Sequence, residues 1–117
     1  MKATKEEIYD LCFAKWGFAS QVAMLAEELC ELSVATLHLN RLIKNEGLKK
    51  YKVIDKVAEE IADVEIMIDE FKHHLRNVNN TNFLETIKIY KESKMDRLID
   101  LLGLKNISMV EVKKSVS

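Results

Sequence analysis

Apolar residues recur at alternating three- and four-residue steps along most of this chain. Val22, Leu25, Leu29, Leu32, Thr36, Leu39 and Ile43 form one stripe, and Ile54, Val57, Ile61, Val64, Ile68, Phe71 and Leu75 form a second. A third, shorter stripe holds Leu84, Ile87, Leu98, Leu101 and Leu102. A period near 3.6 puts each set on one side of an α-helix. Boundaries follow from the polar punctuation. Thr4 and Glu7 make a capping box, so a first helix starts there and runs to about Trp16. A second spans about Ser20 to Asn45, ~25 residues or roughly 37 Å at 1.5 Å per residue. A third spans about Tyr51 to Val78. After the polar segment NVNNTN, Asn82 and Glu85 repeat the capping pattern for a fourth helix over Phe83 to Leu102. Gly17, Gly47 and Gly103 each fall where a helical C-terminal cap belongs. The expected architecture is all-α, a single domain over 1–103 with long antiparallel helices. The tail 104–117 is patterned weakly enough to be a frayed end or a brief strand.

Two acidic runs interrupt this scheme: Glu27, Glu28 and Glu31 in AEELCEL, and Glu60 and Asp63 in EEIADVEIM. At ~100° per residue Glu27, Glu31 and Glu28 fall at 0°, about 40° and about 100°, inside one arc that also contains Met24 and Ala35. Glu60 and Asp63 are one turn apart, hence neighbours on the helix surface, and they border the second apolar stripe. A charged helical run by itself is ordinary solvated surface. Two such runs, each beside an apolar stripe, bring four or five carboxylates together if the helices pack side by side. At an effective dielectric of ~20, two like charges ~4 Å apart repel by roughly 4 kcal/mol. Several such pairs rival the ~5–15 kcal/mol stability of a whole small domain. A positive partner is required, and a hard divalent cation is the natural one.

Composition narrows the function classes. Eighteen basic residues against nineteen acidic ones create no field for holding nucleic acid. The 48% apolar content and the absence of proline suit a helical core. No apolar run reaches the ~20 residues of a transmembrane helix, and MKATKEEIYD lacks the apolar core of a signal peptide. Cys12 and Cys30 form no CxxC motif or Cys/His ligand set and read as reduced, which points to a cytoplasmic protein with no membrane partner.

Lys91 and Lys94 fall inside the third apolar stripe, and Arg97 lies on its flank. Lysine is almost never fully buried without a partner. The two ammonium groups therefore either snorkel to water or turn toward the acidic cluster or a bound polyphosphate. His38 lies within the carboxylate arc, and His73 and His74 follow the second acidic pair by two to three turns; single histidines of this kind are usually surface or core residues. Glu70-Phe71-Lys72-His73 is the one Glu-x-x-His match. A di-iron bundle, the competing enzyme class, needs two such motifs, and the scarcity of imidazole favours Mg²⁺ or Mn²⁺. A helical interaction module without chemistry is the third reading.

EExxE followed on the next helix by ExxD, here Glu27-Glu28-x-x-Glu31 and Glu60-x-x-Asp63, resembles the MazG-like all-α nucleoside triphosphate pyrophosphohydrolases. KWGFASQ before the first cluster, EEIADVEIM across the second and YKESKMDRL in the fourth helix are similar to a small branch of that family, often encoded by phages or bacteria. The resemblance covers roughly residues 5–102; Tyr90 stands where a tryptophan is expected. It implies a four-helix MazG-like bundle that hydrolyses a (deoxy)nucleoside triphosphate to the monophosphate and pyrophosphate by attack of water on the α-phosphorus. It further implies Glu28, Glu31, Glu60 and Asp63 as ligands of Mg²⁺, with Mn²⁺ as a substitute. Glu27 and Glu28 become the candidates for orienting or deprotonating water, and Glu27 alternatively for a second ion. Lys91, Lys94 and Arg97 would meet the outer phosphates. Lys15 and Trp16 would lie near the nucleoside, with stacking on a base worth ~1–3 kcal/mol; otherwise Trp16 plugs the bundle end. Gln21 would read a base edge or cap its helix.

The second helix also carries Ala23, Ala26, Cys30 and Leu37 beside its stripe, which widens the apolar arc to roughly 160°, beyond the ≳100° that one core-facing stripe needs. A two-fold partner would cover the excess. The resemblance agrees, implying a homodimer or homotetramer.

Overall fold

Helix α1, Lys5–Trp16, starts at the expected cap: the Glu7 N–H donates to the Thr4 hydroxyl at 3.1 Å. Gly17 ends it with φ +82°, a conformation that costs a residue without a Cβ little. Its N–H donates to the Phe13 carbonyl, and its own carbonyl already accepts from Gln21. One glycine thus joins α1 to α2, Phe18–Asn45, which begins slightly before the expected Ser20. Helix α3 spans Tyr51–Leu75; residues 76–78 form a turn where the helix was expected to continue. Helix α4, Phe83–Leu101, is capped by Asn82, whose side chain accepts from the Glu85 N–H at 3.1 Å.

The computed structural model describes residues 2–45, 51–78 and 82–104, which form these four helices and no strand. The expected cap at Gly47 and the tail beyond Leu104 lie outside the described residues. No described helix is long and apolar enough to cross a membrane. The chain divides into two compact units, Met1–Arg76 with α1 to α3, and Asn77–Ser117 with α4.

Within the first unit α2 and α3 form the main packing pair and α1 lies against both. The pair is antiparallel. Gln21 meets Glu70, Glu28 and Glu31 meet Glu60 and Asp63, and Ala35 and Lys56 line one cavity, so positions fall on α2 as they rise on α3. The inward positions of α2 are Gln21, Leu25, Glu28, Leu32, Ala35, Leu39 and Leu42, all buried or half-buried. On α3 they are Val53, Val57, Glu60, Val64, Met67, Glu70, Phe71 and His74. Each helix is therefore turned away from the centre of its own apolar stripe. One edge of each stripe stays exposed: Val22, Leu29, Thr36 and Ile43 on α2, and Ile54, Ile61 and Ile68 on α3.

Helix α1 is fixed to α3 by aromatic and polar contacts together. The Phe13 ring stacks on His74 at 3.8 Å between centroids, and Phe18 and Phe71 complete the group. The buried Tyr9 hydroxyl donates to Asp69 at 2.7 Å, and Lys5 pairs with the same carboxylate at 2.9 Å. His73 pairs with Asp10 at 2.8 Å. Helix α4 buries none of its residues fully, and Ile89, Tyr90, Met95 and Leu98 are exposed along it.

Candidate metal centre

The seven-residue step that carries Gln21, Glu28 and Ala35 along the inward side of α2 aims Glu28 at α3, with Glu31 one turn further on. Glu60 and Asp63, also one turn apart, face them from α3. One carboxylate oxygen from each of Glu28, Glu31, Glu60 and Asp63 lies within 4.8 Å of the other three. Glu60 is 3% exposed, Glu28 and Asp63 are half-buried, and Glu31 is exposed. The site is closed on its helix-packing side and open at Glu31.

Its electrostatics are unsatisfied. Glu28 Oε2 and Glu60 Oε2 are buried and accept no hydrogen bond among the described residues. Such an atom normally costs ~1–3 kcal/mol, more when charged. Burial, reinforced by Glu31, Asp63 and Glu60, holds the Glu28 carboxyl above the usual carboxylate range. Among the described residues Lys56 is the cation paired with the cluster: its Nζ lies 2.9 Å from Glu60 Oε1 and 3.6 Å from Glu59. The hydrogen bond to Glu60, then the Glu59 and Glu60 charges, raise the Lys56 ammonium above its ordinary value. Among the described residues, four carboxylates against one ammonium leave the centre negative. A donor set of carboxylate oxygens alone suits a hard divalent ion, which keeps water and phosphate oxygens in its remaining positions.

A cavity of about 410 Å³ adjoins the cluster. Glu31, Glu60 and Lys56 form its polar end, Val34, Ala35 and Cys30 its apolar wall, and His38 its other basic group. Its size falls in the ~300–1,000 Å³ range of small-molecule sites.

The other residues singled out in the sequence are distributed around this centre. Glu27 is exposed and outside the group of four. Gln21 lies seven residues before Glu28, about 10 Å along the axis, and is 2% exposed. Its amide nitrogen donates to both oxygens of buried Glu70, at 2.9 and 3.1 Å, in the orientation that satisfies both groups. That amide is thus committed within the fold. Burial raises the Glu70 carboxyl, while the Cys12 thiol and His74 pull it back. With Glu70 held by Gln21 and His73 by Asp10, both side chains of the Glu-x-x-His match serve the packing of α1, α2 and α3. Trp16 is half exposed rather than buried as a plug, with Lys15 Nζ 5.2 Å from its ring centre. This pair ends α1, just before α2 begins at Phe18. Lys91, Lys94 and Arg97 are exposed on α4, in the second unit.

Lys56 and Glu70 were not picked out for these parts from the sequence, although signals for both exist. Lys56 stands four residues before Glu60, the spacing of a helical ion pair. Glu70 stands seven after Asp63, on the same side of α3.

No family model matches this chain, and no curated protein and no solved structure is significantly similar to it.

Proposed function

We propose that this protein is a metal-dependent nucleoside triphosphate pyrophosphohydrolase of the MazG-like kind, releasing the monophosphate and pyrophosphate. The observation that carries the proposal is the meeting of Glu28, Glu31, Glu60 and Asp63, with two buried oxygens that lack a donor among the described residues. Those four carboxylates would hold Mg²⁺ or Mn²⁺. When bound, the ion supplies charge neutralisation at phosphate oxygens and acidifies a coordinated water. Glu28, beside the other three carboxylates, is a candidate to accept a proton at that site. Exposed Glu27 orients the attacking water from the rim or helps hold a second ion. By the resemblance, Lys91, Lys94 and Arg97 would supply positive charge for the outer phosphates, and Lys15 and Trp16 a stacking platform for the base. The adjoining cavity receives part of the substrate. The test is a panel of ribo- and deoxyribonucleoside triphosphates with Mg²⁺, with monophosphate and pyrophosphate both quantified. Equal release of the two is expected for at least one substrate; release of orthophosphate, or no turnover across the panel, refutes the proposal.

The open stripe edges on α2 and α3 support a homodimer or homotetramer, in which a second copy covers them. They equally suit a helical interaction module without catalysis, the second reading. Melting with and without Mg²⁺ and a non-hydrolysable triphosphate separates the two. A specific ligand at 100 times its Kd stabilises by ~2.7 kcal/mol, whereas a bare module shows no shift.

A further inference from the structure

We infer that Lys56 is a built-in competitor of the divalent ion: its ammonium holds Glu60 in the metal-free chain, yields that carboxylate when the ion binds, and then takes an anionic group of the ligand in the adjoining cavity. The inference rests on the cation-binding reading of the cluster and extends it to a residue outside the four ligands.

Three observations lead there. Lys56 Nζ is 2.9 Å from Glu60 Oε1, while Glu60 Oε2, buried in the same carboxylate, has no partner among the described residues. Glu60 is 3% exposed but the Lys56 side chain is 57% exposed, so the ammonium reaches in from the rim on a stem free to move. Lys56 and Glu60 both line the 410 Å³ cavity, together with Glu31.

An ion bound among the four carboxylates places two positive charges beside the ammonium. Like charges at that range repel strongly, so ammonium and ion compete for Glu60. A displaced ammonium stays at the cavity, because Lys56 belongs to its wall. An anion entering the cavity of the metal-free chain meets Glu31 and Glu60, both acidic. Once the ion offsets two of the cluster's charges and offers open positions to an anion, Lys56 is the ammonium along the described wall that can add to its hold. Anion binding therefore follows ion binding, with Lys56 coupling the two. A phosphate of the nucleotide is the group that matches this chemistry.

The test is Mn²⁺ titration of the full chain, followed by titration of inorganic pyrophosphate at saturating Mn²⁺, for wild type, Lys56→Met and Lys56→Arg. Methionine keeps the stem without charge and arginine keeps the charge. After allowance for solvent screening of an exposed ammonium, Lys56→Met is expected to bind Mn²⁺ about 10-fold more tightly and pyrophosphate about 10-fold more weakly. Lys56→Arg stays close to wild type in Mn²⁺ affinity. An Mn²⁺ affinity that is unchanged or weaker in Lys56→Met overturns the competition and leaves Lys56 an ordinary helical ion pair. Unchanged pyrophosphate affinity overturns the transfer to the ligand. Mn²⁺ binding by none of the three proteins refutes the cation site itself, an outcome distinct from equal binding by all.

Discussion

Replacing Glu28 by glutamine isolates the strain in the acidic centre, because among the described residues Glu28 has no ion pair that would be lost at the same time. Its neighbours Glu31, Glu60 and Asp63 each present an oxygen within 4.8 Å. At that distance and an effective dielectric of ~20, each like-charged pair costs about 3.5 kcal/mol. Glu31 is exposed and Asp63 half-buried, so solvent screening leaves about 1 kcal/mol per pair. Three pairs then sum to roughly 2–4 kcal/mol. The glutamine amide also donates to the remaining carboxylates. Since 1 kcal/mol moves the midpoint of a small domain by about 4–8 °C, metal-free Glu28→Gln melts at least ~8 °C above wild type at pH 8. The sign also fixes the pH dependence. A carboxyl raised in the fold withdraws stability as pH climbs from its ordinary value of 4.5 through its folded value. The advantage of Glu28→Gln therefore shrinks in acid and is full at pH 8. Added Mn²⁺ closes most of the gap, because wild type gains ~2.7 kcal/mol at 100 times its Kd while the variant has lost a ligand. Thermal scans at pH 5 and pH 8, with chelator or Mn²⁺, measure all of this. A metal-free variant at pH 8 that melts at or below wild type refutes the reasoning, since the four carboxylates would then carry no net repulsion.

Lys94→Met, which keeps the aliphatic stem, is expected to raise KM or lower kcat for the triphosphate at least ~10-fold, about 1.4 kcal/mol; steady-state kinetics that stay unchanged make Lys94 a surface residue only. Hydrogen bonds from Lys5 and then Tyr9 lower the Asp69 carboxyl, so its contribution is present above the ordinary value of 3.8 and lost as pH falls through the folded value. Circular dichroism should show Asp69→Asn less stable than wild type at pH 7, with the gap closing in acid; a gap independent of pH would contradict this. Burial and the bond to Asp69 push Tyr9 up to about 12, so stability present below pH 10 is lost as pH rises toward that value, a loss that Tyr9→Phe abolishes. Ile68→Glu, on the open edge of α3, should convert an oligomer to a monomer in sedimentation velocity, whereas a wild-type chain that is already a well-folded monomer would dismiss the second copy.

Local signals determined the helices. Thr4 and Asn82 cap α1 and α4 because a side-chain oxygen three residues before an unsatisfied N–H needs nothing distant to bond it. Gly17 ends α1 for an equally local reason, the backbone freedom of glycine. The acidic grouping was legible as well, since the i, i+3 spacing on each helix and the register of two antiparallel rods suffice to bring Glu28, Glu31, Glu60 and Asp63 together. Rotation about each helix axis is different. Periodicity marks an apolar stripe, but the partner decides which part of it is covered. Packing turned α2 by roughly 50°, from Val22, Leu29 and Ile43 toward Gln21, Glu28 and Leu42, and turned α3 in the same manner from Ile61 toward Glu60. That rotation buried Glu60 and Glu70, committed Gln21 to Glu70, and left Ile54, Ile61 and Ile68 open. The sequence by itself determined which residues share a helix face. Only the tertiary structure decided which of those faces meet, because that choice is made by side chains far apart in the chain, such as Gln21 and Glu70.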